Sequence, residues 1–442
     1  MTTADNIHGT GTPRGIPLPR LIAAIAILFV GIGLVQTRLD QRRGLFNPVV
    51  NDPKRGLSAS IRNNVFGASM LGIREVAAGM LWVKADELFH NGQYTELIPY
   101  FKLVTFLDPH QIDVYSTGAW HLSYNLGDAR LVPQSTAFLD EGIANNSKIW
   151  DLYFQKGWLL FDWPAEDYEA ALPLFQEAAK HPSTDGSPAP PYITHMIAHA
   201  MVRQGRVDDA IAQWQTNIDY AEAEHAKAKK TKNDTDIRYW QQERDVCRNN
   251  RELLLIRKTA REDVAKNPKR VTFTADVQKR GSRLLEVRVR TQGFPPLTDS
   301  YGEESNGRLE LILQDRDYDK LAAQHKNDLL WVTKNLTRFR SIYNIIERNG
   351  TVTDRSKPVI LVEMNKDPAD QGRNPMDIYP LTSDEYELIL RFQPRVRRQP
   401  EAVQNAFGWI GEGLAPGGQT RTGPSGSQMV EKRIPLKLDD IL

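Results

Sequence analysis

The chain has 442 residues, 40% of them apolar and 25% charged, which is enough to bury two or three cores and too apolar for a disordered chain. Its 56 basic and 55 acidic residues leave a formal charge of +1, so no overall field draws it to nucleic acid. A single cysteine, Cys247, excludes an internal disulfide.

Residues 1–15 are small, polar and glycine-rich and read as a disordered tail. Residues 21–35 (LIAAIAILFVGIGLV) are continuously apolar. The uncharged run reaches Thr37, with Arg14 and Arg20 before it and Arg38, Arg42 and Arg43 after it. A bilayer span needs about 17–25 mostly apolar residues, and residues 16–38 meet that length. The stretch Leu34 to Arg38 offers no small-x-small cleavage site, and no cysteine follows to carry a lipid. The segment therefore reads as an uncleaved transmembrane anchor, with residues 21–37 in the membrane. The denser arginines on its C-terminal side favour a cytoplasmic body, whereas a short tail before a signal-anchor favours the opposite. We expect a single-pass inner-membrane protein with its body outside the cytoplasm. Residues 39–66, with Pro48 and Pro53, read as a linker.

Residues 67–266 read as a helical domain. Ala85 is followed by Leu97, Phe101, Val104 and Pro109, with Gly92-Gln93-Tyr94 as the turn between two helices. A small residue lets the helices cross closely, an apolar triplet fills the gap, and the proline ends the unit. The pattern returns around Gly118, then as Gly157, Ala171, Phe175, Ala178 and Pro182, then as Ala198, Ala210 and Trp214 with the turn Gly205-Arg206. These offsets resemble the tetratricopeptide repeat, although the spacing between units is uneven. Residues 237–265 form one more helix, with Trp240, Cys247, Leu254 and Arg261 seven apart. It is expected to cap the open end of the array, with Cys247 as packing.

The resemblance implies a concave surface that takes a peptide or a partner helix. By the same offsets the residues facing it are Trp82, Asp86 and His90, then Tyr115, then Phe154, Trp158 and Asp162, then Tyr192, His195, His199 and Arg203. Aromatics mixed with charge suit a binding surface. Phe154 and Trp158 fit equally well as core between repeats. The lysines and asparagines of a two-carboxylate clamp are missing from this set.

After Pro268 the hydrophobic period changes to two, and residues 269–397 read as a β-sandwich that loosely follows an immunoglobulin-like pattern. Strands are expected within 271–291 as a hairpin, and at 308–313, 358–363 and 385–392, with residues 319–348 as a helical insertion. Residues 398–411 suit a short helix, and 412–442 a flexible tail. The last fourteen residues alternate, so they also suit a strand that pairs with an open sheet edge.

Chemistry is sparse. His195 and His199 share a helix face at a spacing that chelates zinc, but Met196 replaces the glutamate of the zincin motif and no third ligand shows. Asp315, Asp317 and Asp319 alternate, but no glycine turn or closing glutamate completes a calcium loop. No phosphate loop or nucleophile elbow is present, so we expect no enzyme, cofactor, metal or small-molecule substrate. The sequence predicts a multidomain α + β protein, with an N-terminal transmembrane helix, a tetratricopeptide-like α-solenoid and a C-terminal β-sandwich with a helical insertion. Its expected role is a membrane-anchored protein–protein interaction scaffold, an assembly factor or structural subunit of a membrane or envelope complex. The alternative is a cell-wall or carbohydrate-binding protein that uses the sandwich.

Overall fold

The computed structural model describes residues 74–442 except 126–127, 163, 299–302, 327, 349–350, 355–358 and 365–379, together with seven positions between 19 and 31. The expected tail 1–15, most of the anchor 16–38 and the linker 39–66 lie outside the described residues. Among the described residues no helix is long and apolar enough to cross a membrane.

Four helical hairpins follow one another: α1 (Arg74–His90) with α2 (Tyr94–Leu107), α3 (Ile112–Trp120) with α4 (Val132–Asn145), α5 (Asp151–Phe161) with α6 (Tyr168–Ala178), and α7 (Tyr192–Arg203) with α8 (Val207–Thr231). The expected triplet Leu97, Phe101 and Val104 is buried on one face of α2, as its spacing of four and three requires. Gly118 and Gly157 mark true close crossings: a Cβ at Gly118 would stand 2.6 Å from the Phe138 ring, and one at Gly157 2.9 Å from the Phe175 ring. The turn glycines Gly92 and Gly205 take φ of +74° and +75°, a region that side chains with a Cβ avoid. A ninth helix, α9 (Asp234–Arg261), packs along α8. Asn233 caps it by accepting from the Thr235 and Asp236 N–H groups. The heptad reading holds for its inner face, where Cys247, Leu254 and Arg261 are buried.

The β region corrects the sequence reading. The strands β1 (Thr272–Gly281), β2 (Leu284–Gln292), β3 (Gly307–Asp315), β4 (Arg338–Arg348), β5 (Thr351–Asp354), β6 (Ile360–Glu363), β7 (Glu385–Phe392), β8 (Thr420–Thr422) and β9 (Gln428–Lys437) form one antiparallel nine-stranded sheet, not two stacked sheets. The order is β1-β2-β5-β4-β3-β7-β9-β8, with β6 also paired to β2. The sheet curls until its ends meet. The Gln419 amide accepts from the Phe273 N–H at 2.7 Å and donates to the Phe273 carbonyl at 2.8 Å. Inside the curl, Phe273, Phe294, Phe392 and Phe407 pack ring against ring. Residues of alternate parity point inward from each strand in a curled sheet as in a sandwich, so alternation alone does not separate the two.

Two further corrections follow. Only α10 (Tyr318–Gln324) and α11 (Leu329–Asn335) of the expected insertion 319–348 are helical. Residues 338–348 of it are β4, which lies between β3 and β5. Its apolar residues Phe339, Ile342, Tyr343 and Ile346 also satisfy a helical period, and cross-strand pairing decides in favour of the strand. The expected flexible tail 412–442 contains β8 and β9, and β9 sits between β7 and β8 in register from Gln428 to Lys437. The short helix is present as α12 (Glu401–Phe407), whose Ala402, Val403 and Phe407 fill the curl.

Candidate functional site

The sequence-predicted concave residues divide into three groups. In the first hairpin Trp82 is half-buried, its ring 5.8 Å from that of Phe101, while Asp86 and His90 are exposed, with 3.6 Å between the His90 Nδ1 and the Asp86 carboxylate. Tyr115 does not belong to the surface. It is fully buried, its ring lies 5.0 Å from Phe138, and its hydroxyl accepts from Asn145 Nδ2 at 3.2 Å. The irregular second unit rotates this position into the core beside Gly142, where a Cβ would stand 2.7 Å from the tyrosine ring.

The remaining residues lie on the third and fourth hairpins. Phe154 is half-buried among Trp150, Trp158, Phe175 and the exposed Tyr192. The question whether it is core or surface resolves as both: one side of the ring packs inward and the other meets Tyr192. Trp158, Asp162 and Arg203 meet a ligand, and that ligand is the chain itself. The segment between β7 and α12, residues 393–399, crosses this part of the array. Arg397 donates to Asp162 at 3.0 Å and lies 4.9 Å over the Trp158 ring, and its backbone N–H donates to the Tyr168 hydroxyl at 2.8 Å. Arg398 stands 3.7 Å from Asp162. Arg395, only 3% exposed, donates to both Glu169 oxygens at 2.7 and 3.3 Å and lies 5.1 Å over Tyr168. Arg203 donates back to the Arg395 and Val396 carbonyls at 3.1 and 3.4 Å. Planar guanidinium groups suit such sites because they stack on rings and fork to carboxylates at once.

Other contacts lock the sheet beside this segment. Arg257 forks to Glu401 at 2.7 Å on both oxygens, and Arg261 lies 4.1 Å over Trp409. Arg130 donates to the Thr333 and Leu336 carbonyls at 2.8 and 2.6 Å. On the sheet face turned to the array, Glu310 pairs with Arg340 and Arg391, and Glu431 with Arg391 and Arg433. Glu166, whose Oε1 has no hydrogen-bond partner, lines a cleft there with Arg308, Glu310, Arg391 and Arg398. Burial and the Glu310 charge raise its pKa to about 7. Sequence reasoning missed Arg395, Arg397 and Glu169. The signal was three arginines in four residues between Pro394 and Pro400, of which Arg395 and Arg397 fell after the expected strand 385–392 without a role and Arg398 in the expected helix 398–411.

His195 and His199 part company. His195 Nε2 sits 2.5 Å from Glu243 Oε1 and 3.4 Å from Cys247 Sγ. His199 keeps an edge open to solvent, yet the protein packed around it and the Arg203 charge lower its pKa to about 4. Burial and the Glu243 charge push the Cys247 thiol up to about 12. The three aspartates of residues 315–319 do not converge: Asp315 is buried and accepts from the Thr337 N–H at 2.8 Å, Asp319 stands 3.4 Å from Arg338, and Asp317 is exposed.

No protein-family model matches the chain, and no curated protein sequence matches it. Among solved structures, the chain is similar to YrrB, described as a TPR protein with an unusual peptide-binding site, with 14% identity and a TM-score of 0.26 over 44% of this chain and 98% of that one. It is also similar to MamA, with 13% identity and a TM-score of 0.26 over 42% and 94%. At these scores the helical array stands on its own packing, described above.

Proposed function

We propose that this protein is a non-catalytic scaffold that holds a protein partner at its first helical hairpin while its C-terminal sheet is locked to the third and fourth. One observation carries the reading. The third and fourth hairpins are filled by the chain's own arginines, whereas α1 leaves Val76, Met80 and Val83 58%, 71% and 68% exposed. Their spacing of four and three sets them in one stripe, opposite the buried Ala78 and Ala85. Such anchors fit an amphipathic helix of another protein. The apolar run 21–37 supports a membrane anchor, and with it a place in a membrane or envelope complex, and the short tail before such a signal-anchor supports a body outside the cytoplasm.

A photo-crosslinking residue at Met80 in intact membranes tests the partner. One heterologous protein at near-equal amount, lost on Val83→Glu, is the expected result. A crosslink only to a second copy of this chain, or none, overturns the reading. The anchor is tested separately: carbonate should leave the full chain in the membrane and release a chain lacking residues 21–37. Glycan binding through the sheet has no support in the geometry, because the rings of Phe273, Phe294, Phe392 and Phe407 are all buried inside the curl.

A further inference from the structure

The cluster His195, Glu243 and Cys247 has no part in the groove or in the array–sheet contacts. His195 comes from α7, and Glu243 and Cys247 stand four apart on α9, so one helix face supplies two donors and a second helix the third. Their donor atoms converge: Nε2 to Oε1 is 2.5 Å, and Sγ lies 3.4 Å from each. The His195 and Glu243 side chains are 15% exposed and Cys247 is fully buried, so the group opens to solvent on one side only. Packing alone does not ask for this set. One heptad along the same seam Leu254 does that work, and a carboxylate and an imidazole add nothing apolar to it.

We propose that His195, Glu243 and Cys247 bind a zinc-type divalent cation. Around a tetrahedral ion with bonds of about 2.0–2.3 Å, neighbouring donors stand roughly 3.3–3.6 Å apart. Both sulfur distances already have that value. Only the His195–Glu243 pair must open, by under about 1 Å, to exchange its hydrogen bond for two metal bonds. Imidazole, carboxylate and thiolate together select zinc over the hard cations, which take oxygen alone. Thiolate and carboxylate balance the charge of the ion; on binding, the thiol proton leaves to solvent and the proton shared by His195 Nε2 and Glu243 passes through solvent to His195 Nδ1, which leaves a neutral imidazole as ligand. The fourth position faces the solvent side and takes water. The ion would tie the closing helix α9 to α7, across the α8 helix between them.

The full chain in detergent, stripped with chelator and titrated with Co2+, tests this. One equivalent should bind with a thiolate-to-cobalt charge-transfer band and the strong visible bands of a tetrahedral site, and added Zn2+ should displace it. Cys247→Ser should abolish the charge-transfer band, and Glu243→Gln should keep that band but weaken binding by about 100-fold, the upper end of what loss of supporting ligands costs. Wild-type protein without the band, or a band that survives Cys247→Ser, overturns the proposal. So does a Glu243→Gln variant that folds by circular dichroism and binds as tightly as the wild type.

Discussion

The first and third hairpins share one repeat design and differ in what touches their outer side chains. In the third, Asp162 and Trp158 are covered by Arg397, and Glu169 by the buried Arg395. In the first, Asp86 and His90 are exposed and face each other, His90 beside the Phe89 ring, and Val76, Met80 and Val83 project outward. The same scaffold thus serves as an internal clamp at one end and as an offered surface at the other. Burial distinguishes the two roles where residue type does not, since both ends carry aromatics and acids.

Breaking the clamp should have the largest effect. Arg395→Ala strips a buried cation from Glu169 and Tyr168 and should cost about 3 kcal/mol, the low end for a broken buried pair because Glu169 is partly exposed. Urea unfolding checks it, and a loss below about 1 kcal/mol, the value of an exposed pair, would remove the distinction between the ends. Gly157→Ala places a methyl 2.9 Å from the Phe175 ring and should cost about 1–3 kcal/mol. A glycine of the first hairpin away from its crossing at Ala85 behaves oppositely: Gly79→Ala meets nothing within 4 Å and should stabilise by about 0.5–1 kcal/mol through helix propensity.

The clamp should also respond to pH. A carboxyl whose pKa is raised on folding, as Glu166 is to about 7, gives stability that is whole in acid and lost as pH rises through that value. Measured against Glu166→Gln, the wild-type urea midpoint should therefore fall between about pH 4.5 and about pH 7, because Asp315, raised to about 6, and His121 and His199, lowered to about 4, titrate alike in both proteins. An equal slope in the two proteins would assign it to other groups. The smallest effect belongs to the open end: Val83→Glu should shift stability by no more than about 0.5 kcal/mol, as exposed sites do, while it abolishes the crosslink from position 80 to a partner.

The helical half was legible because its signals are local. Small residues at Gly118 and Gly157, turn glycines at Gly92 and Gly205, and the seven-residue seam of α9 each fix a neighbour within a few turns. The sheet was legible strand by strand but not as a whole. Nothing local tells whether alternating strands stack or curl, and residues 338–348 satisfy two periods at once. The site was half legible: Trp158, Asp162 and Arg203 were found by offset, but the segment that covers them lies more than two hundred residues away in the case of Arg397 and Asp162, a separation of 235. Cys247 was read as packing and Glu243 not singled out for the same reason, since pattern on one helix does not report that His195 faces them from another.

The bridge from Gln419 to Phe273 has a consequence for the order of synthesis. The array leaves the ribosome complete, but β7 lacks its neighbour β9 until the last residues emerge. Ile441, next to the C-terminus, is itself fully buried and its carbonyl accepts from the Arg283 N–H at 2.8 Å. A nascent chain therefore carries a finished helical half and a bare strand edge at the same time. Arrival of residues 419–437, rather than folding of the helices, is the step that closes the sheet.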